Sequence, residues 1–147
     1  TTALMAGFDL AKNSVIVTLD GDGQNDPSDI KLLVEKLTKG YDVACGWRHN
    51  RKDPLLSRVF PSRIANALIS RTTATRLHDY GCGLKALNAQ FCKSMRLYGE
   101  MHRFIPAIAN WAGARICEVQ VKHRPRLGGK SNYGIARTPR VLLDLLW

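Results

Sequence analysis

An alternation of strand, helix and strand over residues 15–46 constrains the fold of this chain more than any other feature. Residues 15–19 (VIVTL) are a short β-branched run typical of a buried strand. Residues 26–40 begin with Asp-Pro, carry apolar residues at the spacing of one helix face and end at a glycine. Residues 41–46 (YDVACG) predict a second strand. This pattern is typical of a parallel α/β unit, so we expect an α/β fold with a mostly parallel sheet.

Two carboxylates, Asp20 and Asp22, follow the first predicted strand directly. Ligands of α/β sheets collect at the carboxyl ends of strands, and two carboxylates at this spacing can both reach a hard divalent cation that bridges to phosphate. Gln24 adds a neutral oxygen ligand. Like charges this close raise a carboxyl pKa unless a cation neutralises them, which favours a metal site. The alternative is a solvated turn in which Asp and Gly only provide loop geometry.

The charge of the chain is strongly uneven. Residues 1–47 hold four Lys/Arg against seven Asp/Glu, whereas residues 48–147 hold eighteen against five, and the whole chain is +10. A basic surface of this kind predicts an anionic partner, which can be nucleic acid, a phosphorylated substrate or a membrane face. Charge alone does not choose among these three.

The cysteines and the chain ends give weaker signals. The four cysteines form no C-x-x-C pair and no zinc spacing, which favours buried, reduced thiols. Apolar runs stay short of the roughly 18 residues that span a bilayer. The chain opens without Met in a helical pattern over residues 3–12 and closes on VLLDLLW, so we expect it to be a piece of a longer protein.

The remaining elements are predicted from periodicity and from Pro/Gly content. They are a helix over residues 57–71 interrupted near Pro61, short helices near 88–95 and 103–112, a strand near 116–121, a loop over 124–134 and an amphipathic helix over 135–147.

Two classes of function each fit a part of this sequence. A haloacid dehalogenase-type phosphatase also has Asp-x-Asp-Gly after a hydrophobic strand, but it carries Thr or Val where Gln24 stands and needs a later Asp pair. A nucleic-acid-binding module would use the basic region, but it needs stacking aromatics among the basic residues. Here the aromatic residues near them are Trp47, Tyr80 and Tyr133.

Six segments in order resemble the bacterial relatives of dolichyl-phosphate mannose synthase, which are polyprenyl-phosphate glycosyltransferases. The segments are LDGDGQNDPSDI, GWRHNRKDP, SRIANALISR, HDYGCGLKA, YGEMHRFIPA and HRPRLGGKSNYG. The resemblance covers nearly the whole chain and implies a partial GT-A (Rossmann-like) fold. It also implies an inverting transfer of a sugar from a nucleotide-diphosphate sugar to a polyprenyl phosphate.

The same resemblance assigns roles to individual residues. It implies that Asp22 and Gln24 bind Mg²⁺ or Mn²⁺, and that Asp20 contacts this ion, directly or through water, or the nucleotide-sugar. Asp20 and Asp79 become the candidate catalytic residues, Asp79 as an orienting group. The candidate donor- and acceptor-phosphate-binding residues are Arg48, Arg51, Lys85, Arg103, Arg124, Arg126, Lys130 and Ser131.

The resemblance also predicts an organisation and a location. Residues 1–133 would be an N-terminally truncated catalytic domain, and residues 134–147 the start of a membrane-interface helix. The predicted location is the cytoplasmic face of a membrane, such as the bacterial inner membrane, with no nucleic-acid partner. Relatives have an upstream strand and an acidic donor-binding motif that this sequence lacks, so we expect the isolated piece to bind donor poorly and to turn over little.

Overall fold

A computed structural model describes residues 1–49 and 75–125. The strands are β1 (Val15–Thr18), β2 (Val43–Trp47), β3 (Lys85–Asn88) and β4 (Ile116–Gln120). The helices are α1 (Thr2–Leu10), α2 (Ile30–Thr38), α3 (Ala89–Ser94) and α4 (Ile105–Trp111), with 3₁₀ turns at Pro27–Asp29 and Met101–Phe104. The predicted helices over 57–71 and 135–147 lie outside the described residues, as do Arg51, Arg126, Lys130 and Ser131.

The four strands form one sheet in the order β1-β3-β2-β4. β2 and β4 pair in parallel, and β3 pairs antiparallel with both β1 and β2. Three of these four strands therefore run in one direction, as predicted. β1 and β2 run in the same direction, as the predicted parallel α/β unit requires, but they are not neighbours, because β3 lies between them.

The sequence analysis missed β3. Its four residues, KALN, include no β-branched side chain, and this short stretch stands between a glycine-rich turn and a helix. The strand forms because both of its edges find partners: Lys85 pairs with Thr18 on one side and with Cys45 on the other. Long-range pairing of this kind leaves no local trace in the sequence.

Both faces of the sheet are covered by apolar packing. On one face, Val43 of β2 and Leu87 of β3 pack with Phe8 of α1 and Ile105 of α4. On the other face, alternate residues of the same strands pack against Leu33 of α2. This two-sided core agrees with the buried strands predicted from their apolar runs.

Helix α2 begins and ends where the sequence predicts. Asp26 caps the 3₁₀ turn that leads into it by accepting the Ser28 N–H at 3.0 Å, and Pro27 follows at the first helical position. After the helix, Gly40 takes a φ of +88°, which favours glycine.

All four cysteines are free, and three are fully buried. Burial raises the pKa of Cys45 and of Cys92 to about 12. The prediction of buried, unpaired thiols is therefore confirmed, with Cys117 half-buried as the exception. Within residues 1–49 and 75–125, the helices fall short of the length and apolar character needed to cross a bilayer.

Candidate active site

The reversed direction of β3 gathers four chain segments at one edge of the sheet. Thr18 ends β1 and Trp47 ends β2 at the same edge where Lys85 begins β3. Gln120, at the end of β4, pairs with Trp47 there. The segments after β1, β2 and β4 and the loop before β3 therefore meet, as expected for ligand sites of α/β sheets.

Asp20 lies against Gly83 in the loop before β3. A Cβ atom on Gly83 would stand 2.1 Å from Oδ2 of Asp20, so the carboxylate occupies the space that a side chain would need. Thr18 tightens this contact, since its hydroxyl donates to the Gly83 carbonyl at 2.8 Å. The exposed Asp20 carboxylate can therefore take this position only because residue 83 is a glycine.

A cavity of about 740 Å³ opens beside this carboxylate. Its walls include Asp20, Lys85 and His102 together with apolar residues of α1 and β1. Lys85 is buried, and its ammonium donates to the Cys82 carbonyl. Desolvation, followed by the nearby Arg103, lowers the pKa of His102. The volume is that of a small-molecule site, and its charged side chains are one carboxylate, Asp20, and two ammonium groups, Lys12 and Lys85.

Asp22 and Gln24 share the turn that follows Asp20. The Gln24 backbone N–H donates to Oδ1 of Asp22 at 3.2 Å, and the Gln24 side-chain amide approaches the Arg124 carbonyl at 3.5 Å. Asp20, Asp22 and Gln24 offer two carboxylates and one amide oxygen, which are the hard donors that Mg²⁺ and Mn²⁺ prefer. The contact with Gly83 determines where the Asp20 carboxylate lies. Residues 1–49 and 75–125 contain no group of three His, Cys, Asp or Glu side chains that could hold a metal.

Arg48 and Asp79 form a buried bidentate pair. Nε and Nη2 of Arg48 donate to the two Asp79 oxygens at 2.7 and 2.8 Å, and the Arg48 backbone N–H adds a third contact at 3.3 Å. The Asp79 side chain is only 4% exposed. A fork of two charge-assisted bonds fixes the plane of the guanidinium, so this carboxylate orients Arg48.

Glu118 on β4 is a site residue that the sequence analysis missed. Its carboxylate accepts the backbone N–H groups of His78 and Asp79 at 2.9 and 3.0 Å, and it lies 2.8 Å from His78 Nδ1. The available signal was an acidic residue inside a predicted strand of mostly apolar residues. Its partners lie about forty positions earlier, which no spacing rule reveals.

A second set of contacts ties the segment after β4 to the loop after β1. Arg124 donates its backbone N–H to the Gln24 carbonyl at 2.8 Å and pairs with the Asp26 carboxylate at 2.5 Å. Hydrogen bonds from Ser28 and then the Arg124 cation hold the pKa of Asp26 below its usual value. The Lys122 backbone N–H donates to the Asp29 carboxylate at 2.6 Å. This segment therefore enters the site in a fixed register.

Most of the predicted site residues within the described ranges meet at this one edge. They are Asp20, Asp22, Gln24, Arg48, Asp79, Lys85 and Arg124. Arg103 stands apart on the 3₁₀ turn before α4, where it pairs with Glu100 at 3.3 Å, and its neighbour His102 is the residue that lines the cavity. The predicted roles of all these residues stay predictions.

Comparisons with known proteins identify the family of this chain. The family model described as Glycosyl transferase family 2 matches residues 1–96. The chain is 51% identical to dodecaprenyl-phosphate galacturonate synthase of Rhizobium johnstonii, over 99% of this chain and 44% of that protein. It is 38% identical to undecaprenyl-phosphate 4-deoxy-4-formamido-L-arabinose transferase of Pseudomonas paraeruginosa, over 98% and 42%. The chain thus spans less than half the length of these relatives.

Solved structures show the same fold at low sequence identity. Glucosyl-3-phosphoglycerate synthase from Mycobacterium tuberculosis, in complex with Mn²⁺ and UDP-glucose, superposes with a TM-score of 0.70 at 16% identity. The match covers 98% of this chain and 51% of that one. This likeness confirms the predicted partial GT-A fold, and the relatives confirm the predicted resemblance to polyprenyl-phosphate glycosyltransferases. The family match supports a transferase over a phosphatase or a nucleic-acid-binding module: this chain belongs to glycosyl transferase family 2.

Proposed function

We propose that the full-length protein transfers a sugar from a nucleotide-diphosphate sugar to a polyprenyl phosphate, with inversion at the anomeric carbon. The observation that carries this proposal is the gathering of acidic and basic groups at the carboxyl ends of β1 and β2. The Asp20 carboxylate and the Lys85 ammonium line one cavity there, and the Arg48–Asp79 pair lies beside the loop before β3. The names of the relatives, both built on a polyprenyl phosphate, support the acceptor class.

The metal-binding proposal rests on the loop after β1. Asp20, Asp22 and Gln24 would hold Mg²⁺ or Mn²⁺ together with the donor diphosphate, and this ion would offset the charge on the departing nucleotide. The Mn²⁺ and UDP-glucose in the structural neighbour from Mycobacterium tuberculosis support the use of a divalent ion.

The chain's own basic residues would bind and orient phosphates. Lys85 and Arg48 lie on the two sides of the loop before β3, where they would attract phosphate oxygens. An acceptor phosphate oxygen forms the bond to the anomeric carbon as the bond from that carbon to the donor diphosphate breaks. Because this phosphate is already anionic near neutral pH, orientation matters more than a strong base. Asp79 accordingly serves as an orienting group for Arg48.

A lipid acceptor requires work at a membrane surface. We place the full-length protein at the cytoplasmic face of a membrane, where nucleotide-sugars and the basic region of the chain would meet anionic lipid. The apolar and basic residues of 135–147 support this placement by their sequence pattern.

The test is a transfer assay with the full-length protein in detergent or vesicles. Labelled sugar from UDP-activated galacturonic acid or 4-deoxy-4-formamido-L-arabinose should appear on undecaprenyl phosphate when Mn²⁺ or Mg²⁺ is present. Asp22→Asn should lower the rate by about 100-fold or more, because it removes a charged metal ligand.

Asp9→Asn is the matched control, since Asp9 is an exposed carboxylate on α1. It should keep transfer within about twofold of the wild type, as surface substitutions usually do. Full activity in Asp22→Asn would refute the metal site. A wild-type protein that transfers neither sugar, while binding nucleic acid independently of metal, would refute the proposed function.

A further inference from the structure

We propose that Glu118 is a positioning residue for the transfer reaction. It anchors the backbone of His78 and Asp79, and so aims the Asp79–Arg48 pair at the edge of the sheet where the site lies. This inference rests on the proposed function for its catalytic consequence, and on the structure alone for the anchoring. Glu118 itself reaches the reaction only through Asp79 and Arg48.

The anchoring consists of four contacts to two adjacent residues. Both Glu118 oxygens lie 2.9 Å from the His78 backbone nitrogen, and Oε1 also accepts the Asp79 N–H at 3.0 Å. The fourth contact is Oε2 to His78 Nδ1 at 2.8 Å. Hydrogen bonds to an ionised acceptor are about twice as strong as neutral ones. The Glu118 side chain is 11% exposed and its bond to the Asp79 N–H is part-buried, whereas its bonds to His78 lie at the surface.

Asp79 links the anchor to Arg48. Its backbone N–H is held by Glu118, while its carboxylate holds the Arg48 guanidinium through two bonds of 2.7 and 2.8 Å. A shift of the main chain at Asp79 therefore moves the guanidinium with it. Trp47, the last residue of β2, stacks on the His78 ring with 4.2 Å between the ring centroids, so His78 is held by an aromatic contact as well as by Glu118.

The loop that Glu118 anchors reaches the proposed metal site at its other end. Gly83, five residues after His78, is in contact with the Asp20 carboxylate. Lys85 follows directly as the first residue of β3. Glu118 thus fixes one end of a loop whose other end contacts Asp20 and leads into Lys85, so its removal should disturb catalysis beyond any effect on stability.

The test uses Glu118→Gln in the full-length protein. We expect kcat for transfer to undecaprenyl phosphate to fall about tenfold or more, as when supporting partners of site residues are removed, while KM for the nucleotide-sugar stays within about twofold. In a protein that already carries Arg48→Lys, Glu118→Gln should lower kcat by less than about twofold further. Both changes act through the same Glu118–Asp79–Arg48 contacts, so their effects should not add. Glu35→Gln, which removes an exposed carboxylate of α2, should change neither constant.

Hydrogen exchange tests the anchoring without any assay of activity. In Glu118→Gln, the amides of His78 and Asp79 should exchange about tenfold faster or more, while those of α2 keep the wild-type rates. Glu118→Asp, which retains the charge on a shorter side chain, supplies the same two measurements if Glu118→Gln does not fold.

The outcomes separate the two proposals. Unchanged exchange at His78 and Asp79 overturns the anchoring, and an additive loss with Arg48→Lys overturns the route through Arg48. A wild-type protein without transferase activity overturns the proposed function, and with it the catalytic part of this inference. In that case faster exchange in Glu118→Gln still establishes the anchor.

Discussion

At the scale of single residues, Gly83 decides where Asp20 can lie. The carboxylate fills the space of the missing side chain, and the Thr18 hydroxyl holds the glycine carbonyl from the adjacent strand. A side chain at position 83 would force the short Asp20 side chain to turn away, because it has only two rotatable bonds. The position of one proposed metal ligand thus depends on the absence of atoms in another loop.

Gly83→Ala should weaken metal-dependent donor binding. The added Cβ would stand 2.1 Å from Asp20 Oδ2, so we expect the Kd for UDP-sugar in the presence of Mn²⁺ to rise about tenfold or more. Isothermal titration of the full-length protein measures this constant. Gly21→Ala is the control, because a Cβ there meets no atom within 4 Å. Equal affinity in both variants would contradict the role given to Gly83.

Single residues also show what the sequence could reveal about the site. Asp20, Asp22 and Gln24 were predictable because one short segment carries the donors and follows a buried strand. Glu118 was not, since its partners His78 and Asp79 reach it only after β4 has joined the sheet. Contacts between distant segments follow from the order and pairing of the strands, and the sequence predicted only the fold class.

At the scale of elements, α2 shows how a local pattern fixes a packed helix. Its apolar residues repeat at the helical period, and Leu33 is fully buried between α2 and the sheet. The next residue back, Leu32, is 45% exposed. The two leucines have the same chemistry but lie on different faces of one helix, because consecutive residues are about 100° apart around its axis.

Leu33→Ala should lower the free energy of unfolding by about 2–5 kcal/mol, since it removes buried methyl groups and leaves a cavity. Leu32→Ala should cost less than about 1 kcal/mol, because its side chain already contacts water. Urea unfolding followed by circular dichroism gives both values. Equal losses in the two variants would show that α2 does not pack with this face.

Predictability also differed among the strands. β1 and β2 carry continuous apolar runs, so their sequence alone identified them within a few residues. β3 owes its structure to hydrogen bonds with β1 and β2 on its two edges. Local propensity for a strand is weak in such a segment, and tertiary pairing decides its conformation.

At the scale of the whole molecule, the buried thiols make stability depend on alkaline pH. The pKa of Cys45 and of Cys92 is about 12 in the folded protein, against 9.0 for an exposed thiol. Between these values the unfolded chain releases protons that the folded chain retains. Stability is therefore full below about pH 9 and falls as the pH rises toward 12.

The Cys45→Ala/Cys92→Ala variant should lose stability less steeply with pH than the wild type. Urea midpoints measured from pH 7 to pH 10.5 compare the two slopes, and a lower midpoint of the variant at pH 7 does not affect this comparison. All other residues are the same in the two proteins, so the difference between the slopes reports on these two thiols. Parallel slopes would mean that these thiols do not titrate on unfolding in this range.

The reversed strand β3 also divides its two flanking loops between opposite ends of the sheet. The loop before it, residues 79–84, lies beside the carboxyl ends of β1 and β2, whereas Asn88 after it pairs with Val15 at the start of β1. Under the proposed function, we expect an exchange of residues 79–84 between relatives to change the choice of sugar. An exchange after Asn88 lies at the other end of the sheet and should leave this choice unchanged.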